Sequence, residues 1–402
     1  MTAIREIITD SAQDIQNEFD SLNVDRGGSG IMMPKSRFHL IRVRGLKSPA
    51  ANILKQELLS LGGECATGQQ VILGDPEPGD ALIMGTRKQL DQLVPKLKSQ
   101  PFGLKSLARE LADFLSSDNG KHSHIPGPLA DLGGTPENLP LIMGVLNVTD
   151  DSFSDGGEYL DPDMAVEHAL KMVADGADII DVGGESTRPG SDSVPADREM
   201  ARILPVIERL SANCELPISV DTKKAPVART ALEAGAQLVN DVSGGRHDPE
   251  ILELVATIGC PYILMHMQGV PKTMQSNPQY ELLMDDLHHF FSERLDVALK
   301  TGVSADRIIL DPGIGFGKSR RDNYEILRRL RELKVFGRPL LVGASRKSFL
   351  QNSAGDNPPE RIDESVAAGT IAMANGASIL RVHDVRPALK ARVVHQGMRA
   401  SL

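Results

Sequence analysis

Residues 141–157 read LIMGVLNVTDDSFSDGG, and the reading of this stretch decides the fold. Its first half is an apolar run of strand length. At Asn147 it turns abruptly polar and carries three aspartates, two serines and a lone Phe153. Downstream the same pattern recurs. Short apolar runs (ADIIDV, PISVD, AQLVND, PYILMH, RIILD, PLLVGAS, SILRVHD) alternate with amphipathic segments such as DMAVEHALKMVADG, PVARTALEAG, ELLMDDLHHFFSERLDVALKTG and DESVAAGTIAMANG. Several of these segments close on glycine, as helix C-termini do. Eight strand-then-helix units in roughly 260 residues is the count of a (β/α)8 TIM barrel. The alternative is an open doubly wound sheet, but no glycine-rich fingerprint follows the first strand.

Upstream of this run, residues 1–36 read as a flexible, acidic-polar lead-in ending in DRGGSGIMMPKS. Residues 37–115 read as a small α/β accessory domain. RFHLIRVRG, QQVILG and ALIMGT are its expected strands. SPAANILKQELLSLGG is an expected helix, with Ser48 as N-cap and Pro49 at the first position. RKQLDQLVPKLKSQ is expected to be interrupted at Pro95, and LKSLARELADFLSS completes the domain. Residues 116–139 are rich in Gly, Pro and Ser without periodicity and read as a linker to a barrel over 140–402.

Composition narrows the class. The 402 residues are 41% hydrophobic and 24% charged, with a formal net charge of −10. An acidic balance argues against nucleic-acid binding, which needs a basic footprint. Cys65, Cys214 and Cys260 are far apart and form no CxxC, so a reduced, cytoplasmic protein without disulfides or a cysteine zinc site is expected. The start MTAIREIITDSAQD lacks the apolar core of a signal peptide. No run reaches the ~18 apolar residues of a membrane helix.

Barrel chemistry stands at the C-terminal strand ends. Here the ends carry Asn147, Asp181, Asp221, Asn240-Asp241, His266, Asp311, Ser345-Arg346-Lys347, and Arg381 with His383. Any one of these is ordinary. All eight together imply a pocket for a strongly polar small molecule, because enclosed carboxylates repel unless something compensates them. Asp221, Asn240 and Asp311 suit a flat heterocycle with several N–H groups and a carbonyl, such as a pterin or purine. Lys347 and Arg381 add positive charge, His383 can add more, and with Asn147 they suit a phosphate or diphosphate. A metal between Asn147 and the phosphates would match the usual Mg²⁺ arrangement of few protein ligands and several waters.

Two motifs mislead. DPGIGFGKS resembles a phosphate loop, but Pro312 stands where its first glycine belongs. His288 and His289 are adjacent and so share no helix face.

NVTDDSFSDGG, DVGGESTRPG, SVDT, MHMQG, LDPGIGFGK, SRKS and RVHDV occur in the order seen in dihydropteroate synthases, and residues 140–394 resemble that family. The resemblance implies a (β/α)8 barrel. The activity it implies joins 6-hydroxymethyl-7,8-dihydropterin diphosphate to p-aminobenzoate with Mg²⁺ present. It implies a pterin pocket of Asp221, Asn240, Met265, Asp311 and Lys347. It implies a diphosphate and metal site of Asn147, Arg381 and His383. Thr187, Arg188, Phe316, Lys347 and Ser348 would form the p-aminobenzoate side, where sulfonamides compete. Asp151, Phe153 and Arg188 would ride on loops that close over the site. Asn147, Asp221, Lys347, Arg381 and His383 are the expected catalytic set.

The sequence departs from the family at Asp150, where proline is usual. Aspartate leaves that loop less stiff and adds charge near the expected metal. The N-terminal module carries no recognisable catalytic motif and reads as a packing or oligomerisation domain. A homodimer is expected, with the small-residue segment SVAAGTIAMANGA suited to close helix packing. Two other readings remain open: a corrinoid-dependent pterin-binding methyltransferase and a catalytically silent pterin-binding protein. The methyltransferase would have no use for SRKS and RVHDV beside the first loop.

Overall fold

The structure is a computed structural model. It describes residues 4–9, 11–117, 127–135, 138–149, 161–186, 191–270, 272–351 and 357–400. The chain divides into two compact units, Met1–Ser123 and His124–Ser401.

The first unit opens on two helices, α1 (Ala12–Ser21) and α2 (Arg26–Ser36). The flexible lead-in expected there is therefore helical. Ser11 and Asp14 form a capping box at the start of α1, and the Asp25 side chain accepts from the Gly28 amide at the start of α2. Then follow β1 (Phe38–Leu46), α3 (Ser48–Leu59), β2 (Glu64–Thr67), α4 (Gln69–Ile72), β3 (Gly79–Thr86), α5 (Arg87–Lys98) and α6 (Leu104–Ser117). The antiparallel sheet has the order β1-β3-β2.

Three local expectations are corrected. Lys47, not Ser48, caps α3, and no side chain completes the cap. QQVILG is a short helix and loop, because only Val71 finds the core while Ile72 and Leu73 face solvent. Pro95 does not interrupt α5. It lies on the exposed side, where water can satisfy the carbonyl it frees, while Leu90, Leu93, Val94 and Leu97 hold the buried face.

The second unit is the expected barrel. Its parallel strands are β4 (Leu141–Asn147), β5 (Ile179–Gly183), β6 (Ile218–Asp221), β7 (Leu238–Asp241), β8 (Tyr262–Met265), β9 (Ile308–Asp311), β10 (Leu341–Val342) and β11 (Ile379–Val382). They pair in chain order and β11 returns to β4. A single bridge between Leu310 and Leu340 joins β9 to the start of β10. The segment 127–135, expected as linker, belongs to this unit. Its helix α7 (Gly127–Asp131) and the following turn bury Leu129 and Leu132 against the barrel floor. Two leucines three apart are enough for one helical turn to plug a barrel, a signal too short for periodicity to reveal.

The outer helices are α8 (Pro162–Ala174), α9 (Ala196–Asn213), α10 (Ala225–Glu233), α11 (Glu250–Ile258), α12 (Leu283–Thr301), α13 (Arg320–Arg329), α14 (Ile362–Ala374) and α15 (Val385–Ala400). They pack on the outward strand positions, among them Ile142, Ile180, Val220, Val239, Leu264, Leu310 and Leu380. The inward positions form a separate apolar layer at the floor: Leu141, Met143, Ile179, Leu238, Ile263, Ile309, Leu341 and Ile379. Apolar residues on both faces explain why these strands read as continuous runs rather than alternating ones.

Candidate functional site

Side chains on a strand alternate between faces, so two residues beyond each floor position the chain points inward again. That step leads from Ile179 to Asp181, Leu238 to Asn240, Ile263 to Met265, Ile309 to Asp311, Leu341 to Gly343 and Ile379 to Arg381. On β6 the inward positions are Ser219 and Asp221, and β4 ends inward at Asn147. One register step therefore turns an apolar floor into a ring of charges.

Arg381 is the hub of that ring. Its Nε donates to Asp181 Oδ2 at 2.6 Å and its Nη2 to Asp221 Oδ2 at 2.7 Å. The Asn240 amide donates to the same Asp181 oxygen at 3.1 Å. Asp181 is fully buried, and its Oδ1 has no hydrogen-bond partner among the described residues. A buried carboxylate oxygen left open in this way is an acceptor for a ligand N–H. Gly343, just past β10, adjoins the ring: a Cβ there would be in ordinary contact with Arg381 Cβ at 3.6 Å and Lys347 Nζ at 3.8 Å.

Lys347 enters from the turn after β10. Its Nζ donates to the Ile314 carbonyl and lies 4.5 Å from the centre of the Phe316 ring. Phe316 belongs to a small apolar cluster with Val242, Met265, Met267 and Met274. Met265 thus lies on the inward face between Asn240 and Asp311, and a flat ring held by the polar groups would have an apolar surface beside it. The Asp311 Oδ1 accepts from the Gly313 amide at 2.7 Å.

Burial dominates the titration of these groups. It raises Asp221 to about 7 against the opposing pull of Arg381. Burial also raises Asp311, with Lys347 opposing. Burial pushes Lys347 down to about 7, with Asp311 opposing it and Arg381 assisting. Burial disfavours the charge on Arg381, but Asp181 and Asp221 outweigh it and hold the guanidinium above its ordinary value. His383 differs from expectation. Burial, then Arg381 and Arg346, lower it to about 3, so it stays neutral. Its Nδ1 lies 3.2 Å from Ser345 Oγ. It can offer a hydrogen bond to an anion.

The structure brings Asp221, Asn240, Met265, Asp311 and Arg381 onto one inward face, with Lys347 against Phe316 beside them. Asn147 and His383 stand half-buried at the ends of their strands. Ser348 is exposed at the start of a short 3₁₀ turn, Ser348–Leu350. Asp151, Phe153, Thr187 and Arg188, and with them Asp150, lie outside the described residues. Asp241 and Arg346 are among the strand-end residues that turn away from the ring. Asp241 points outward and accepts from the Ser243 and Gly245 amides and from Tyr262 Oη. Arg346 sits at φ +59° and pairs through two nitrogens with Asp384. Sequence reasoning marks Asp181 only as a strand end, yet its inward parity with Ile179 and Gly183 is visible there.

The chain matches the profile of a family described as pterin binding enzyme over residues 143–383. The chain belongs to this family. It is 49% identical over 245 residues to the dihydropteroate synthase of Synechocystis sp., covering 61% of this chain and 85% of that one. A probable bifunctional folylpolyglutamate synthase/dihydropteroate synthase of Halobacterium salinarum is 40% identical over 383 residues, 94% of this chain. The chain spans only 45% of the length of that relative. Among solved structures, the dihydropteroate synthase of Yersinia pestis in a sulfonamide drug complex is 44% identical with a TM-score of 0.62, covering 65% of this chain and 95% of that one.

Proposed function

We propose that this chain is a dihydropteroate synthase: it joins 6-hydroxymethyl-7,8-dihydropterin diphosphate to p-aminobenzoate and releases 7,8-dihydropteroate and pyrophosphate. The observation that carries the proposal is the inward ring of Asp181, Asp221, Asn240, Asp311 and Arg381, with one carboxylate oxygen open. Three carboxylates and an amide match a heterocycle rich in N–H donors, and Met265 lies on the same inward face. In this reading Asp181, Asp221, Asn240, Asp311 and Lys347 hold the pterin. Arg381, the neutral His383 and Asn147 hold the diphosphate. Phe316, Lys347, Ser348, Thr187 and Arg188 form the arylamine side, where a sulfonamide would compete.

The reaction breaks the bond between the pterin methylene and the diphosphate oxygen and forms a bond from that carbon to the arylamine nitrogen, which then loses a proton. Negative charge grows on the leaving group, and Arg381 and Lys347 stabilise it more in the transition state than before it. Positive charge grows on the methylene, and the aspartates favour it. The neutral arylamine needs orientation more than a strong base. Asp151, Phe153 and Arg188 would serve on loops that exclude water from the methylene.

The donor chemistry also fits Mg²⁺. Asn147 offers one hard carboxamide oxygen at the mouth, and the remaining positions would be filled by diphosphate oxygens and water. When bound, the ion would neutralise charge on the leaving diphosphate.

We also propose a homodimer through α14 and α15, whose Ile371, Val393, Val394 and Met398 are exposed. The N-terminal unit is proposed as a packing or assembly module. Among the described residues no helix is long and apolar enough to cross a membrane. The three cysteines are free, in keeping with a reducing cytoplasm.

The test is to incubate the purified protein with the dihydropterin diphosphate, p-aminobenzoate and Mg²⁺, and to follow pyrophosphate and dihydropteroate together. Stoichiometric release of both is expected. No product at any protein concentration would sink the reading.

A further inference from the structure

The segment 311–318, DPGIGFGK, resembles a phosphate loop in sequence but is built as something else. It runs flush against the chain at 266–268. A Cβ at Gly313 would lie 1.9 Å from the His266 carbonyl oxygen, and one at Gly317 would lie 2.3 Å from that of Gln268. Both glycines have positive φ. At the end of the segment Lys318 turns back beneath it and is 2% exposed. Its Nζ lies 2.9 Å from His266 Nδ1, 3.1 Å from the Phe316 carbonyl oxygen and 3.4 Å from that of His266. This buried amine has no place in the mechanism above.

We propose that Lys318 and His266 form a staple that positions Phe316, so that Lys318 is a positioning residue for the arylamine substrate, while Lys347 keeps its own anchor on the Ile314 carbonyl. The inference rests on the synthase reading, which supplies that substrate. The chain of contact is short. Lys318 ties the Phe316 backbone to the end of β8, the Phe316 ring then stands under Lys347 Nζ, and the Lys347 Nζ is fixed to the Ile314 carbonyl of the same segment.

The staple also fixes the histidine. Burial, then Lys318 and Arg246, hold His266 well below its ordinary value, so the ring is neutral. When Lys318 is protonated its Nζ donates to Nδ1, which leaves the ring proton on Nε2. The charged groups facing Lys318 are Asp311 at the end of β9, Asp322 on α13, Lys347 after β10 and Arg246 after β7, with His266 itself uncharged. Burial pushes Lys318 down to about 7, with Asp311 and Asp322 favouring the ammonium and Lys347 and Arg246 opposing it.

The experiment measures steady-state kinetics of the full chain with each substrate varied. Lys318→Met keeps the length of the stem and removes the three hydrogen bonds. It should raise KM for p-aminobenzoate about tenfold while KM for the dihydropterin diphosphate and kcat change less than about threefold. Phe316→Ala should do the same, and the double variant should be no worse than the more affected single one, because both act through one ring. Equal rises in both KM values, a fall in kcat alone, or multiplied effects in the double variant would overturn the staple. Should Lys318→Met fail to fold, His266→Gln keeps the lysine and its carbonyl anchors. It should give a smaller rise in the same KM, and an unchanged KM would overturn the proposal. Nitrogen-15 spectra supply a readout independent of turnover: His266 should be neutral with its proton on Nε2, and a proton on Nδ1 would count against the staple. A wild type that forms no dihydropteroate sinks the synthase reading, whereas an active wild type with unaltered variants sinks the staple alone.

Discussion

The floor and the mouth of this barrel are built from the same strands, one inward position apart. At the floor Ile179, Leu238, Ile263, Ile309, Leu341 and Ile379 meet the Leu129 and Leu132 plug. In the ring above stand Asp181, Asn240, Met265, Asp311, Gly343 and Arg381. Below, burial is favourable by about 1.5–3 kcal/mol for each large apolar side chain. Above, burial is opposed by desolvation, and the ring persists because its charges are paired. The comparison teaches that stability and chemistry are separated along the strand by a single pleat, and that the ring depends on one cation more than on any carboxylate.

The largest break of this comparison is Arg381→Met. It would leave Asp181 and Asp221 buried without their guanidinium, a loss of about 3–5 kcal/mol in stability by analogy with severed buried pairs. Urea unfolding would show it, together with loss of dihydropteroate formation.

The floor can be attacked separately by truncation. Removing everything before His124 should leave the barrel folded with residual activity. Removing everything before Glu137 also deletes Leu129 and Leu132, each fully buried, at about 1.5–3 kcal/mol apiece. The protein that starts at Glu137 should therefore melt well below the one that starts at His124, and equal melting temperatures would show that the plug is dispensable.

Within the ring, Asp221→Asn and Lys347→Ala should each lower turnover at least about tenfold, or ~1.4 kcal/mol of transition-state stabilisation. Near-normal rates in both would mean that the pterin lies elsewhere.

The smallest effect is the dependence of stability on pH. Asp221 has a folded value of about 7, above its ordinary one. Its contribution is full below about pH 4 and is lost as pH rises through about 7. Lys347 is depressed to about 7, so its contribution is full only above its ordinary value near 10.5 and is lost as pH falls through about 7. Both groups therefore weigh against the fold most near neutrality. Relative to wild type, Asp221→Asn should look better at pH 8 than at pH 5, and Lys347→Met better at pH 6 than at pH 9. Differences that do not vary with pH would show that these groups are not held as described.

Much of this was legible in the sequence. The run of strand ends from Asn147 to His383 pointed to the mouth, and the alternation of apolar runs with amphipathic segments pointed to the barrel. What escaped were features decided by parity or by distant packing. Asn240 and Asp241 are adjacent, yet only Asn240 faces inward, because Asp241 falls on the helix side of the strand. Lys318 looked like part of a failed phosphate motif, since nothing local shows that it folds back on His266. The charge state of His383 is set first by burial, then by Arg381 beside it and by Arg346 from the turn after β10, which only the fold brings near. Ser11 and Asp25 did carry the start of α1 and α2 in readable form, as cap residues.

The barrel also has a seam. β10 spans only Leu341–Val342, and the ring closes through the one bridge between Leu310 and Leu340. On one side of that seam lies Asp311 with the loop that carries Phe316, and on the other lies Gly343 with the turn that carries Lys347. The least fastened joint of the cylinder is thus the one that separates the two halves of the proposed arylamine side. A molecule bound there would touch both lips, beside the tie that Lys347 Nζ already makes to the Ile314 carbonyl.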